Sequence, residues 1–224
     1  MPVKEIGESA FYGCSSLTEV VIPNTVTKIG DLAFAVSGLT EVEIPDSVEH
    51  IGVSAFGLCT GLKEVTVPES VTYLGDGAFR YCSSLQSAYV YANVTDLKFR
   101  MFYNSFQVSG NDIYTSSALT KIILPATLQK IDTEALRGNF KLGNIYFMGT
   151  EQQWNDLYFY ILVKEEGSEL LKEEKYEKSN VLEDSVKISF YSQTPPPLNV
   201  DGSAYEGNFW HYDTDGVTPI AWVK

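Results

Sequence analysis

The sequence has 224 residues, 44% of them hydrophobic, with a formal net charge of −13 and a pI near 4.5. This length and composition allow a substantial core in one or two domains. The negative charge argues against nucleic acid, which proteins hold through clustered Lys and Arg, and it disfavours anionic membrane surfaces as partners. No run of residues is long and apolar enough to span a bilayer, so membrane insertion is not expected.

A single motif recurs through residues 3–148: Leu-x-x-Val-x-Ile-Pro-x-Ser-Val-x-x-Ile-Gly-x-x-Ala-Phe-x-x-Cys. Copies begin at Leu17, Leu39 and Leu62, at intervals of 22 or 23 residues. Such a period is typical of leucine-rich-repeat solenoids, in which each unit buries its apolar face against its neighbours. Residues 3–11 match only the second half of a unit, so we expect this sequence to be part of a longer protein.

Each unit is predicted to begin with a strand, because apolar and polar residues alternate in Leu-x-x-Val-x-Ile. The proline that follows ends the strand, since it has no N–H for the ladder. A second extended segment ends in Ile-Gly, where we expect the glycine to permit a turn. The Ala-Phe pair and the small residue three positions later complete the predicted core.

The three cysteines occupy this small-residue position of the repeat. We expect Cys14, Cys59 and Cys82 to form a column of small buried side chains. Cys59 and Cys82 lie in adjacent units, where a disulfide is feasible, but we favour packed free thiols. Zinc is not expected because the sequence has no C-x-x-C pair.

An insertion, residues 103–118, separates the fourth full unit from the next strand start at Leu119. We expect it to form a loop at one edge of the array. Insertions in repeat proteins often supply binding surface, while aromatic residues in a long loop also pack on the solenoid, and both alternatives remain open. Its candidate contact residues are Tyr103, Phe106 and Tyr114.

Residues 149–224 are predicted to be a capping region continuous with the solenoid. Thr150 and Gln153 suit the capping box of a short helix, whose Trp154 would seal the end of the core. The charge-rich segment 164–187 predicts a solvated helix or loop. Beyond it, residues 186–192 alternate as a strand, and residues 209–212 and 220–222 predict a returning β-hairpin over the last repeat.

These elements together predict an α/β leucine-rich-repeat solenoid that is strand-rich, with few short helices. Its curved parallel sheet is expected to end in a helical and β-hairpin cap.

The repeat resembles the BspA-type leucine-rich repeat of bacterial cell-surface proteins. Three tail segments also resemble the usual C-terminal ending of that group: residues 146–154, 189–192 and 207–212. The resemblance extends from Val3 to Trp222. It implies a secreted or surface-anchored protein with an adhesion or recognition role, and no particular ligand.

The second, third and fifth residues of each predicted strand point away from the core, on the concave face of the sheet. In the C-terminal half these positions hold Tyr89, Ile123 and Tyr146, which we predict to form an exposed strip that binds an extracellular protein or glycan. The alternative is that the insertion covers this strip. In the N-terminal half they hold acidic residues: Glu19, Glu41, Glu43 and Glu64.

The acidic ladder is most simply a by-product of the repeat consensus. A basic partner or Ca²⁺ is the disfavoured alternative, because calcium needs about six or more converging oxygens and a flat ladder supplies few. No cofactor is predicted.

Catalysis is not predicted either. His50 and His211 are the only histidines, and neither belongs to a Ser-His-Asp or Cys-His set. We therefore predict a non-enzymatic recognition module, with a structural spacer of a larger surface protein as the alternative. A glycan hydrolase comes third, because it needs two carboxylates converging in a cleft.

Overall fold

The computed structural model describes residues 2–108, 111–114, 117–164, 171–176, 182, 186–193, 208–212 and 219–221. Within these ranges it is an array of short strands with one α-helix, and the predicted leucine-rich-repeat solenoid with curled parallel sheets is confirmed. The elements in chain order are β1 (Glu5–Ile6), β2 (Lys28–Ile29), β3 (His50–Ile51), β4 (Glu64–Val67), β5 (Tyr73–Leu74), β6 (Ser87–Val90), β7 (Asp96–Leu97), β8 (Ser105–Val108), β9 (Asn111–Tyr114), β10 (Lys121–Leu124), β11 (Lys130–Asp132), β12 (Asn144–Phe147), α1 (Glu151–Asp156), β13 (Tyr158–Lys164), β14 (Leu171–Tyr176), β15 (Lys187–Tyr191), β16 (Phe209–Tyr212) and β17 (Pro219–Ala221).

The four repeat strands from Leu62 onward, together with three strands of the C-terminal region, build a seven-stranded sheet, which we call the main sheet. Its strand order is β17-β16-β15-β12-β10-β6-β4, and its repeat strands pair in parallel and in register. The β16–β17 pair is antiparallel, which is the predicted hairpin. The register places Thr66, Tyr89, Ile123 and Tyr146 side by side on neighbouring strands.

The second extended segments of the repeats form two further four-stranded sheets, β1-β2-β3-β5 and, together with β13 and β14, β14-β13-β11-β7. Strand β14 lies in the charge-rich region, for which we predicted a helix or loop, and all six of its residues are exposed. The prediction that this segment is exposed to solvent holds for residues 171–176. The predicted helix or loop is wrong there, because these residues form a strand. Backbone pairing with β13 stabilises an extended conformation that charge patterning alone does not reveal.

The glycine that ends each Ile-Gly segment packs against the backbone of the preceding repeat. A Cβ atom on Gly75 would lie 2.5 Å from the carbonyl carbon of Gly52 and 2.5 Å from the nitrogen of Val53. A Cβ on Gly30 or Gly52 would also meet backbone of the preceding repeat, at 2.7 and 2.5 Å respectively, and none of the three glycines has left-handed φ. Close approach of two backbones therefore explains the repeated glycine, and the expected turn does not.

The repeat phenylalanines stack into a continuous column through the core. Phe34, Phe56, Phe79 and Phe102 are fully buried, with neighbouring ring centroids 5.3–5.6 Å apart and nearly parallel planes. Phe11 begins the column, 5.1 Å from Phe34, and is 36% exposed.

The cysteines follow the predicted column only in part. Cys59 and Cys82 are buried free thiols, as favoured, and each donates to a main-chain carbonyl 3.2 Å away, at Phe34 and Phe56 respectively. Burial raises the pKa of both thiols, so they remain protonated and inert. Cys14 is exposed, because no described repeat packs on the outer side of the first unit, and its predicted burial is wrong.

Phe11, Phe34, Phe56 and Phe79 are each flanked by residues in left-handed backbone conformation, two positions before and two positions after, and Phe102 has such a residue only two positions before it. Two of these positions are the glycines Gly13 and Gly77. The others carry side chains at φ of 51–61°: Ser9, Leu32, Val36, Ser54, Leu58, Tyr81 and Arg100. This conformation costs a residue with a Cβ roughly 1–2 kcal/mol, so the tight corners hold strain in the repeats that contain these residues.

Glycine at Val36 should relieve such strain. Val36 has φ of 60° and is 37% exposed, so Val36→Gly removes a β-branched left-handed residue with little loss of burial. We expect the free energy of unfolding to rise by about 0.5–1 kcal/mol, measured by urea denaturation. Val53→Gly is the matched control, because Val53 is 38% exposed but not left-handed, and it should lose about 1 kcal/mol. Equal effects of the two changes would contradict the strain.

Part of the insertion is ordered as a β-hairpin. Strands β8 and β9 pair antiparallel, from Ser105 opposite Tyr114 to Val108 opposite Asn111. The prediction of a loop is therefore wrong for these residues. In the sequence, the dipeptide Ser-Gly after Val108 is a turn signal that the period of the repeat does not reveal.

Helix α1 forms at the predicted place. Thr150 accepts a hydrogen bond from the Gln153 amide, and the Gln153 side chain accepts one from the Thr150 amide, which completes the capping box. Trp154 is buried and packs edge-on against Phe147, with ring centroids 5.4 Å apart. The helix therefore lies against the last repeat strand of the core.

Candidate functional site

The predicted aromatic strip is aligned on the main sheet but is not exposed. Tyr89 and Ile123 are 4% and 1% exposed, and Tyr146 is half-buried. The three side chains belong to a second apolar cluster on the outer face of the sheet, together with Trp210. The prediction that this strip is an open surface is wrong.

The side chain of Trp210, on strand β16 of the same sheet, packs against the strip. Trp210 is fully buried, and its ring lies 5.4 Å from that of Tyr146 and 5.1 Å from those of Tyr191 and Tyr212. Its indole Nε1 donates to the carbonyl of Phe147 at 3.4 Å, so the polar end of the side chain is also satisfied. The aromatic residues of the C-terminal region were predicted to pack on the last repeat. In the structure their cluster also includes Ile123 and Tyr89, which lie on the two repeat strands before it.

The tyrosines at the margin of this cluster are held as neutral phenols. Burial is the main cause that raises the pKa of Tyr91, and a hydrogen bond with Tyr212 adds to it. Burial likewise raises the pKa of Tyr212. Neutral, partly buried and mutually packed, these rings are suited to structural stabilisation of the C-terminal half.

The insertion is fastened at its base by one asparagine. Asn139 accepts from the Ser117 hydroxyl at 2.6 Å and from the Asn104 amide at 3.2 Å, and these two residues border the hairpin. Its own amide donates to the carbonyls of Phe102 and Leu136. Tyr103 is buried beside Tyr81, so it is not free for a ligand, and the Phe106 and Tyr114 side chains lie outside the described residues.

The acidic residues, by contrast, are exposed along one groove of about 870 Å³. Binding pockets in proteins commonly have volumes of ~300–1,000 Å³. The groove runs across the outward side of the first three repeats and holds one cation, Lys63. Its lining residues are Glu19, Val20, Val21, Thr40, Glu41, Val42, Glu43, Lys63, Glu64 and Thr66.

Two of the three segments that line the groove do not pair as strands, and the third contains β4. Sequence predicts strands at Leu17–Ile22 and Leu39–Ile44, but within the described chain the main sheet ends at β4. Thr40 N–H donates to the Thr18 carbonyl and Lys63 N–H to the Thr40 carbonyl. For the described residues 19–22 and 41–44 the structure records no backbone hydrogen bond.

Repulsion between carboxylates gives a physical reason for this departure. In a continued register, Glu19, Glu41 and Glu64 would stand directly opposite one another, and like charges opposed across strands are destabilising. The core beneath is also less sealed, because Val20 and Val42 are partly exposed where Val65 is buried. The first two strand predictions are therefore wrong in pairing, although the side chains face as expected.

A family model for the BspA type leucine rich repeat region matches six copies of its repeat, across residues 1–109 and 102–164. The chain belongs to the BspA-type leucine-rich-repeat family. No curated protein matches the sequence.

Solved structures similar to this BspA-type chain are leucine-rich-repeat proteins. One from Eubacterium ventriosum ATCC 27560 is 25% identical, with a TM-score of 0.50, over 57% of this chain and 32% of that one. One from Bacteroides ovatus ATCC 8483 is 31% identical, with a TM-score of 0.46, over 65% and 43%. The pneumococcal vaccine antigen PcpA has a TM-score of 0.55 at 22% identity, over 69% and 36%. The chain therefore spans less than half the length of each.

BspA-type repeat proteins are generally non-enzymatic, and the partly buried Asp96 and the buried Asp132 have structural surroundings. Asp96 accepts from the Tyr160 hydroxyl at 3.0 and 3.1 Å and lies 3.6 Å from the Lys130 ammonium. Asp132 is 1% exposed, so substrate has no access to it. These acids also lie on the Ile-Gly strands, away from the groove.

Asp132 occupies the position in its repeat that glycine holds in Gly30, Gly52 and Gly75. One carboxylate oxygen accepts from the Glu134 N–H at 2.8 Å, and within the described chain the other is buried without a hydrogen-bond partner. Burial raises the pKa of Asp132 from 3.8 to about 6, and the charges of Glu134 and Asp96 act in the same direction.

Stability should therefore fall as Asp132 ionises. Because its pKa is higher in the folded state, the folded protein loses stability as pH rises from about 4 to about 6, and the loss is complete above that range. Asp132→Asn keeps the acceptor for Glu134 without the charge, so it should raise the free energy of unfolding by about 1–3 kcal/mol at neutral pH and by little near pH 4. Urea denaturation of both proteins across this range tests it, and a pH-independent difference would contradict it.

The described residues contain no group of three or more His, Cys, Asp or Glu side chains placed to hold a metal ion. Among the same residues, no helix combines the length and apolarity needed to cross a membrane.

Proposed function

We propose that the chain is an extracellular recognition module that binds a partner protein in the acidic groove of the first three repeats. One observation carries the proposal: the groove is the part of the predicted binding face that stays open, while the aromatic half is packed beneath Trp210. The proposed setting, secreted or at the cell surface, rests on the BspA-type family.

A protein partner is favoured over a glycan by the side chains in the groove. Glutamate, valine, threonine and one lysine line it, whereas sugar sites generally rely on aromatic rings for stacking. Exposed valines beside carboxylates suit a surface that is both basic and apolar. Val21 is 91% exposed and offers an apolar contact at the rim.

The spacer role is the second candidate, and the buried strip favours it. If the aromatic cluster only stabilises the end of the solenoid, one predicted binding surface is lost. The groove then becomes the feature that separates a recognition module from a spacer.

The test is binding of the purified chain to an immobilised panel of extracellular matrix proteins, mucins and glycans. The variant Glu19→Gln/Glu41→Gln/Glu64→Gln removes three charges from the groove, and Glu8→Gln/Glu49→Gln/Glu174→Gln removes three from exposed positions elsewhere. Binding that is lost only in the groove variant supports the proposal. Equal binding in both variants overturns the groove as the binding site, and no binding to any panel member overturns the proposal in favour of the spacer.

A further inference from the structure

The groove differs from the rest of the outward face in the state of its backbone. From β4 onward, each repeat strand exchanges hydrogen bonds with its neighbours. Among the described residues, segments 19–22 and 41–44 make none with other backbone groups, although they are the corresponding strands of the first two repeats. Amide and carbonyl groups in extended chain are strong donors and acceptors, and they form an open template for another strand.

We infer that this template takes an extended, basic peptide segment of the partner protein. The inference rests on the proposed function and names the chemistry of its partner. Strand addition derives affinity from main-chain hydrogen bonds and specificity from alternate side chains. In the groove those side chains meet two different surfaces, one acidic and one apolar.

Charge complementarity determines which residues occupy one set of alternate positions in the bound segment. Glu19, Glu41, Glu43 and Glu64 all line the groove and are exposed, with Lys63 as the one cation among its lining residues. Lys or Arg at every second position of the segment faces this ladder and neutralises the repulsion that separates the segments. An acidic segment is excluded by the same charges.

The partly exposed core residues determine which residues occupy the other set of alternate positions. Val20 and Val42 pack on the core but remain partly accessible, whereas Val65, at the same position in a paired strand, is buried. Ile22 and Ile44 are each 7% exposed, against 0% for Val67. Apolar residues at the alternate positions of a bound segment complete this cover, as the next strand does in the later repeats.

The probe is a synthetic eight-residue peptide that alternates lysine and valine, tested by calorimetry at low and physiological salt. Neutralising three groove carboxylates should weaken its binding roughly 3- to 100-fold, because each exposed ion pair contributes about 1.4- to 5-fold. The control variant at Glu8, Glu49 and Glu174 should retain the affinity. An alternating glutamate–valine peptide should not bind.

Two further measurements separate strand pairing from attraction between charges. A lysine–valine peptide N-methylated at alternate residues keeps its charge but loses donors, and it should lose binding. In hydrogen exchange, the bound parent peptide should protect the amides of residues 19–22 and 41–44. Equal binding of the methylated peptide, or no added protection, overturns strand pairing even if a panel protein uses the groove. If the unmodified chain binds the lysine–valine peptide but no panel protein, only the proposed function is overturned.

Discussion

Replacing Phe56 by alanine should lower the free energy of unfolding by about 3–5 kcal/mol. Phe56 is fully buried, and its ring stacks between those of Phe34 and Phe79 at 5.3 and 5.4 Å. Truncation removes apolar burial and leaves a cavity that two flat neighbours cannot fill, since their backbones are fixed by the adjacent repeats. Urea denaturation followed by circular dichroism measures the loss.

Phe11→Ala is the matched control for this change. Phe11 belongs to the same column and stacks on Phe34, but one side of its ring is exposed and it has a single ring neighbour. We expect a loss of about 1–2 kcal/mol, because less surface leaves water and the site opens to solvent. If both variants lost the same stability, the column would not be the centre of the core.

The Phe column shows how far sequence carries the fold. A fixed period, the proline after each strand and the Ala-Phe pair each occur often enough to define the register of the repeat without coordinates. The capping box at Thr150 is similarly local, because its partners are three residues apart. Features that depend on residues close together within one repeat were therefore predictable, and so were features that recur at the same position in each repeat.

The left-handed corners were not predictable by the same reasoning. Their positions hold glycine at Gly13 and Gly77 but valine, leucine, tyrosine, serine or arginine elsewhere, so no single residue type marks them. The hydrogen bonds between repeats impose the conformation, for example from Phe34 N–H to the Ala55 carbonyl and from Val36 N–H to the Gly57 carbonyl. The hydrogen bonds to the next repeat therefore outweigh the preference of each of these residues for negative φ.

The candidate site was predictable only in outline. The repeat register gives correctly which side chains face outward, including the four glutamates. It does not reveal that Trp210, more than sixty residues after Tyr146, packs on the strip, because this contact depends on the path of the C-terminal chain. Nor does it reveal the unpaired segments, since alternation of apolar and polar residues describes one strand and not its pairing.

Substituting alanine for Gly75 should have the second large effect, a loss of about 3 kcal/mol or more. The added Cβ would meet the backbone of Gly52 and Val53 at 2.5 Å, well inside contact distance, and the obstructing atoms are main chain. A clash with a side chain is relieved by a change of rotamer, whereas this one separates two repeats along their hydrogen-bonded edge. Denaturation midpoints and hydrogen exchange should both show it.

The chain offers a close control for this variant in Gly7. It follows Ile6 as Gly75 follows Leu74, but nothing lies within 4 Å of a Cβ placed there, because no described repeat precedes it. Gly7→Ala should therefore change stability by less than about 0.5 kcal/mol. In the Gly75 variant, amides on both sides of the displaced interface should lose protection first, notably the N–H groups of Gly75 and Ser54. A Gly75→Ala protein as stable as the Gly7→Ala protein would show that the repeats tolerate wider spacing, and the glycine column would then need another explanation.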